Sequence, residues 1–258
     1  MSRHQEAKGK ARRVAEITAK RLVISLIAQP VPKSVQKEID DFYRSSFKED
    51  CEGKKAYHGG SPRKPECELL TKLVLHIAPQ DTLDWGLGDG AACMAIVLAR
   101  RELGFSTRHV SLDPFQYLIA KNVGLIQLQS RGLTGEVDFR EDRSEEFLTD
   151  AIRNGRKFDF MFIDGDHSAG AKMTDAYLAD RATKPGGVIA FHDALFDSTA
   201  AAVTWLLNDR KYELIALACE PPWKRAARCA RHVRRLGISY ARRVIPHLGI
   251  SIAALRKS

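Results

Sequence analysis

The sequence predicts an α/β fold, a doubly wound and mostly parallel sheet with an N-terminal helical extension, and three observations carry that prediction. From Asp81 onward, short apolar strands alternate with helical patterns, the order that crossover connections impose on a parallel sheet. Glycines 86, 88 and 90 sit between one such strand and the helix that follows it. Phe158 to Ile163 is apolar on both faces apart from Asp159, as a strand covered on both sides should be.

Each element has its own signal. Residues 2–27 read as a basic helix, interrupted by Pro30 and Pro32, and a second helical stretch runs from Ser34 to Phe47. A polar loop with Gly59, Gly60 and Pro62 follows. Cys67 to Ile77 is amphipathic, with Leu69, Leu70, Leu73, Val74 and Ile77 on one face. Residues 1–78 therefore form a basic helical extension or cap, and 79–258 the sheet domain. Thr82 to Trp85 is its first strand, and Ala91 to Leu103 the helix after the glycine turn. His109 to Leu112 is a second strand, Tyr117 to Gln129 a helix, and Val137 to Arg140 a third strand leading to a helix that ends near Arg153. After Phe158–Ile163 and the helix Ala171–Arg181, Lys184-Pro185-Gly186-Gly187 turns the chain into Val188–Phe191. Thr199–Leu207 is helical, and Tyr212–Ala218 and Gly249–Leu255 close the series.

Composition narrows the function classes. The five cysteines of the 258-residue chain are odd in number, widely spaced and free of CxxC or Cys/His zinc spacing, which points to a reducing cytoplasm. The apolar run Leu22–Ala28 is far short of the roughly 20 residues that span a bilayer, and it lacks a following signal-cleavage site. The net charge of +9 belongs to the ends: residues 1–22 hold seven Lys/Arg against two acids, and 221–258 hold ten against none. The body between them is mildly acidic.

The glycine turn Asp84-Trp85-Gly86-Leu87-Gly88-Asp89-Gly90 lets backbone amides approach a ligand closely. Its spacing is GxGxG rather than the GxGxxG of dinucleotide enzymes, and Asp84 would repel a pyrophosphate while attracting an ammonium group. Asp113, 23 residues past Gly90, ends the second strand where an acid can bind ribose hydroxyls, although Asp-Pro also starts turns.

The segments Leu83-Asp84-x-Gly86-x-Gly88-x-Gly90, Asp113, Phe162-Ile163-Asp164-Gly165-Asp166-His167-Ser168 and Lys184-Pro185-Gly186-Gly187-Val188-Ile189-x-Phe191-His192-Asp193 fall in a telling order. Through them the span from about Asp81 to Phe196 resembles the class I S-adenosylmethionine-dependent methyltransferases, closest to the small-molecule O-methyltransferase group that includes macrolide-sugar enzymes. The resemblance implies a Rossmann-like sheet of seven strands, with S-adenosyl-L-methionine held by Asp84, Gly86, Gly88, Gly90, Asp113, Asp142, Arg143 and Asp164. It also brings the ends of the fourth and fifth strands together, so that Asp164, His192 and Asp193 would suit Mg2+ or another divalent cation. The metal-dependent members often end the fifth strand in Glu-Asp or Asp-Asn, whereas this chain has His-Asp. His167, three residues after Asp164, matches the position from which related enzymes supply a general base, with Asp164 beside it in the catalytic pair. A plain alternative is that His167 caps a helix or orients Asp164, and Asp166 and Ser168 read as turn and N-cap residues.

The expected reaction is methylation of a hydroxyl on a small molecule or saccharide. The basic segment 221–245, with eight Lys/Arg between Trp223 and Arg243, would overhang the substrate entrance. It suits an anionic or lipid-linked acceptor, a peripheral membrane contact or a homo-oligomer surface. Nucleic acid ranks low because the segment shows no aromatic platform. Two other readings compete: a non-catalytic binding protein that keeps the fold and docks through its basic ends, and an NAD(P)-dependent oxidoreductase.

Overall fold

The computed structural model describes residues 30–44, 47–57, 61–194, 196–219 and 250–258. The helix expected over 2–27 and the basic segment 221–245 lie outside the described residues. The elements are α1 (Lys33–Phe42), β1 (Phe47–Glu49), β2 (Lys55–Tyr57), α2 (Lys64–Ile77), β3 (Thr82–Trp85), α3 (Ala91–Glu102), β4 (His109–Leu112), α4 (Val123–Ser130), β5 (Val137–Arg140), α5 (Ser144–Arg153), β6 (Phe158–Ile163), α6 (Ala169–Ala182), β7 (Thr183–His192), α7 (Asp197–Asp209), β8 (Tyr212–Cys219) and β9 (Ile250–Lys257).

Strands β3 to β9 form one seven-stranded sheet in the order β5-β4-β3-β6-β7-β9-β8. β5 to β7 pair in parallel, and β9 enters antiparallel between β7 and β8. This is the doubly wound α/β sheet that the alternating pattern predicts, with helices on both faces. Side-chain alternation divides the core: Phe160, Phe162, Val188 and Ala190 pack toward α1, α2 and α3, while Leu83, Trp85, Met161, Ile163 and Phe191 pack toward α5, α6 and α7. Burying a phenylalanine such as Phe158, Phe160, Phe162 or Phe191 contributes roughly 1.5–3 kcal/mol. Helices α1 and α2 share the core of α3 through Val35, Ile39, Phe42, Leu70 and Leu73, so the described part of the N-terminal extension is built into the sheet's own packing.

The differences from the expected elements have local causes. The helix expected from Tyr117 begins only at Val123, because Lys121 and Asn122 adopt left-handed backbone at φ 50° and 61°. Gln116 explains the bend: its side chain donates to Gly88 O at 3.0 Å and accepts from Gly124 N at 3.0 Å, pulling the loop onto the glycine turn. The helix expected to reach Phe47 stops at Phe42, and β1 and β2 form an unforeseen hairpin in the polar stretch. Lys184 is structural as well: its ammonium reaches Asp81 at 2.6 Å and Asp159 at 3.1 Å, which accounts for the acid in the otherwise apolar β6. The turn expected at 184–187 lies within β7, where the pairing to β6 slips between Phe158 and Phe160.

Candidate functional site

The C-terminal ends of β3 to β7 and the loops that follow them open along one edge of the sheet, the edge at which open α/β sheets bind ligands. A cavity of about 670 Å³ lies there, lined by Trp85, Gly86, Asp113, Phe115, Asp142, Arg143, Ser144, Asp164 and Asp175, among others. Gly86 is required by its surroundings. Its φ is +94°, and a Cβ would come within 2.3 Å of the Asp164 carbonyl oxygen, so the turn after β3 packs directly on the end of β6. Asp113 is buried and braces the same turn: Oδ2 accepts from Gly88 N at 3.0 Å and from Gln116 Nε2 at 3.2 Å, and Oδ1 accepts from Phe115 N at 2.9 Å. Gly90, at φ +88°, precedes the first turn of α3.

Asp142 and Arg143 lie at the cavity wall, with the Arg143 guanidinium 5.9 Å from the Phe115 ring. Next to them, Ser144 Oγ donates to Asp175 Oδ1 at 2.6 Å. Burial pushes the Asp175 carboxyl up, against the pull of Ser144. No motif marks Asp175, Ser144 or Phe115 in the sequence, because the fold alone brings α6 and the loops after β4 and β5 to this wall.

Asp84 takes a different position from the one expected of it. Alternation along β3 turns its side chain away from the cavity and under α3, where it is 1% exposed and 3.3 Å from His109 Nε2. It cannot contact an ammonium group in the cavity; that part of the expected cofactor set is corrected to a buried cluster beneath the turn.

The ends of β6 and β7 bring Asp164, His167, His192 and Asp193 together. His192 Nδ1 is 3.0 Å from Asp164 Oδ1 and 3.5 Å from Asp193 Oδ2, and its Nε2 is 3.3 Å from Glu66 Oε2 on α2. Burial opposes charging of this ring, yet the three carboxylates hold its pKa up to about 12. Burial likewise opposes ionisation of Glu66, and the hydrogen bonds from His192 and Arg63 bring its carboxyl down to about 2. His192 thus has both ring nitrogens facing carboxylates, an arrangement that favours the imidazolium over the metal-ligand role expected of it. The group whose ligand atoms converge, all within 4.8 Å of one another, is Asp164, His167 and Asp193. Glu66 carries no sequence signal for this role, since it lies 126 residues from its partner.

His167 is partly exposed. Its Nε2 lies 3.4 Å from Asp193 Oδ2, and its ring centroid lies 5.1 Å from that of Phe196. Burial, with the nearby Lys172 ammonium, lowers its pKa and favours the neutral ring. Burial works to raise the Asp193 carboxyl, but the His192 hydrogen bond and charge leave it below its ordinary value. Asp164, more deeply enclosed, is raised by burial in spite of His192. Ser168 caps α6, accepting from Ala171 N at 3.4 Å, and Asp166 Oδ1 accepts from Ser168 N at 2.8 Å.

Known proteins resemble this chain in sequence and in fold. Residues 83–194 match the family described as "Methyltransferase domain". Tricin synthase 2 of Oryza sativa subsp. japonica is 27% identical over 139 residues, 53% of this chain and 45% of that protein. Caffeoyl-CoA O-methyltransferase 1 of Eucalyptus globulus is 24% identical over 140 residues, 53% of this chain and 54% of that protein. The chain thus spans about half the length of the curated relatives it matches. The same fold occurs in the O-methyltransferase TomG of Streptomyces achromogenes, solved in complex with SAM, at TM-score 0.56 and 13% identity over 94% of this chain and 98% of that one. It occurs also in the O-methyltransferase of Bacillus cereus, solved in complex with SAH, at TM-score 0.57 and 15% identity over 94% and 99% of the two chains. Residues 83–194 of this chain accordingly resemble a methyltransferase domain in sequence, and the chain has the fold of the solved O-methyltransferases.

Proposed function

We propose that this protein is an S-adenosylmethionine-dependent O-methyltransferase acting on a hydroxyl of a small molecule. The observation that carries the reading is the single sheet edge at which the cavity beside Gly86 and Asp113 adjoins the His167–Asp193 pair. When bound, S-adenosylmethionine supplies an electrophilic methyl on its sulfonium. The chain's own groups do the rest. Gly86, Gly88, Gly90 and Asp113 shape the cradle, Asp142 and Arg143 border the adenine end, and Asp164 lies at its inner wall. His167, neutral at physiological pH, takes the proton from the acceptor hydroxyl, and Asp193 steadies the imidazolium that results. Alignment of the acceptor oxygen behind the methyl supplies most of the acceleration.

A second reading is favoured by the convergence of Asp164, His167 and Asp193. Two carboxylates and an imidazole are a suitable donor set for Mg2+ or another divalent cation, which would polarise the acceptor hydroxyl in place of a base. The names of tricin synthase and caffeoyl-CoA O-methyltransferase favour a small aromatic acceptor over a saccharide. The Lys/Arg content of 223–243 favours an anionic acceptor or a peripheral membrane contact, and the same segment could serve a homo-oligomer. Among the described residues no helix is long and apolar enough to cross a membrane. The free thiols of Cys51, Cys67 and Cys93 suit a cytoplasmic setting.

Calorimetric titration with S-adenosylmethionine, NAD and NADP tests the reading. Selective binding of S-adenosylmethionine is expected. Tight binding of a nicotinamide cofactor instead would overturn the proposal in favour of an oxidoreductase, and S-adenosylmethionine binding without turnover across an acceptor screen would favour a binding protein.

A further inference from the structure

Beneath the glycine turn, and outside the cavity, β3, β4 and α3 enclose a second group of chemically active side chains. Asp84, Cys93, His109 and Ser111 are each at most 1% exposed. One oxygen of Asp84, the Cys93 sulfur and one nitrogen of His109 all lie within 4.8 Å of one another. Both carboxylate oxygens of Asp84, His109 Nε2 and Ser111 Oγ are buried without a hydrogen-bond partner. Four orphaned polar atoms in one pocket of the core are costly unless a further species satisfies them.

We propose that this cluster is a structural zinc-class metal site, with Asp84, Cys93 and His109 as ligands and Ser111 Oγ beside the fourth position. Its geometry has three marks of such a site. Asp84 Oδ1 and His109 Nε2 are 3.3 Å apart without hydrogen-bonding geometry between them, a separation that two ligands of one ion can hold. That separation equals the edge of a tetrahedron whose N and O ligands stand about 2.0 Å from the ion. The other ring nitrogen, His109 Nδ1, is 2.8 Å from Thr82 Oγ1, which can accept from it as an outer contact in the tautomer that leaves Nε2 free to bind.

The chemistry of the donors selects the ion. One thiolate, one imidazole and one carboxylate form a mixed set that suits Zn2+ and is too soft for Mg2+ or Ca2+. Cys93 is the third residue of α3, and burial together with the Asp84 charge keeps its thiol protonated in the empty site. Metal entry releases the Cys93 thiol proton to solvent, and the thiolate and carboxylate then neutralise the divalent charge, so the filled site is electrically balanced. Ligands from two strands and from the helix after the turn would staple the base of the cofactor cradle.

The test uses the full chain expressed in cobalt-supplemented minimal medium, alongside the His167→Ala and Cys93→Ser variants. The expected result is about one cobalt per chain at this site, with a thiolate-to-cobalt charge-transfer absorption in wild type and His167→Ala that disappears in Cys93→Ser. The absence of that absorption in folded wild type, or its persistence in Cys93→Ser, overturns the proposal and leaves buried water as the occupant. Because Cys93→Ser could fail to fold, X-ray absorption of zinc-loaded wild type provides a variant-free measure. One sulfur in the zinc shell supports the site; a shell of nitrogen and oxygen alone overturns it.

Discussion

His167 Nε2 lies 3.4 Å from Asp193 Oδ2, so an imidazole from the loop after β6 faces a carboxylate at the end of β7. Asp193 holds left-handed backbone at φ 50°, and that conformation directs it back toward the histidine. The pair has the composition of a general base with an orienting carboxylate.

Replacing His167 with alanine should lower kcat by about 10²–10⁴-fold. The affinity for S-adenosylmethionine should change little, because the histidine does not line the cofactor cavity. Steady-state kinetics beside calorimetry measures both, and equal losses in the two would refute the base role.

The lowered pKa of His167 sets the direction of the pH response. The base works only when neutral, so activity should fall as the pH drops through that pKa, which lies below the ordinary histidine value of 6.5. A pH–rate profile should show this acid limb in wild type and not in His167→Ala. An acid limb retained in the variant would assign it to another group.

With His167 as the proposed base, removal of divalent cations should leave most of the turnover. Activity assays with a chelator, then with added Mg2+, decide the matter. Complete loss with recovery on Mg2+ would reassign His167, with Asp164 and Asp193, to metal binding.

Substitution of Gly86 by alanine should abolish cofactor binding and destabilise the protein by more than about 1 kcal/mol, the cost of the left-handed backbone alone. The added Cβ would also stand 2.3 Å from the Asp164 carbonyl oxygen. Gly135→Ala is the control, because a Cβ there meets nothing within 4 Å. Thermal unfolding and calorimetry of the two variants should differ sharply.

The buried His192 imidazolium makes stability depend on alkaline pH. Its folded-state pKa of about 12 exceeds the ordinary histidine value of 6.5, so its contribution is full below pH 6.5 and declines as the pH rises toward 12. The slope cannot exceed about 1.4 kcal/mol per pH unit for one proton. The Tm of wild type should therefore fall more steeply between pH 7 and 10 than that of His192→Gln, and parallel curves would refute the charged ring. Glu66 acts at the other end: with its carboxyl depressed to about 2 from 4.5, its contribution is present above pH 4.5 and lost as the pH falls through 2.

The sequence by itself determined the sheet and the cradle, because both are written in local chemistry. β3, β4, β5 and β6 begin and end at the residues that the hydrophobic pattern marks, and the glycines of the turn follow from backbone freedom that no other residue offers. Asp164, His167 and Asp193 could be located because strand ends meet at one edge in any parallel sheet of this order. Only the tertiary structure decided what each side chain faces. Asp84 follows the turn motif, yet strand alternation sends it into the core beside His109. His192 reads as a metal ligand beside Asp193, but Glu66, brought from α2 by helix packing, occupies its second nitrogen and fixes its charge. Gln116 and Asp175 have no sequence mark at all, since a hydrogen bond across 28 residues or 31 residues depends on how layers pack and not on spacing along the chain.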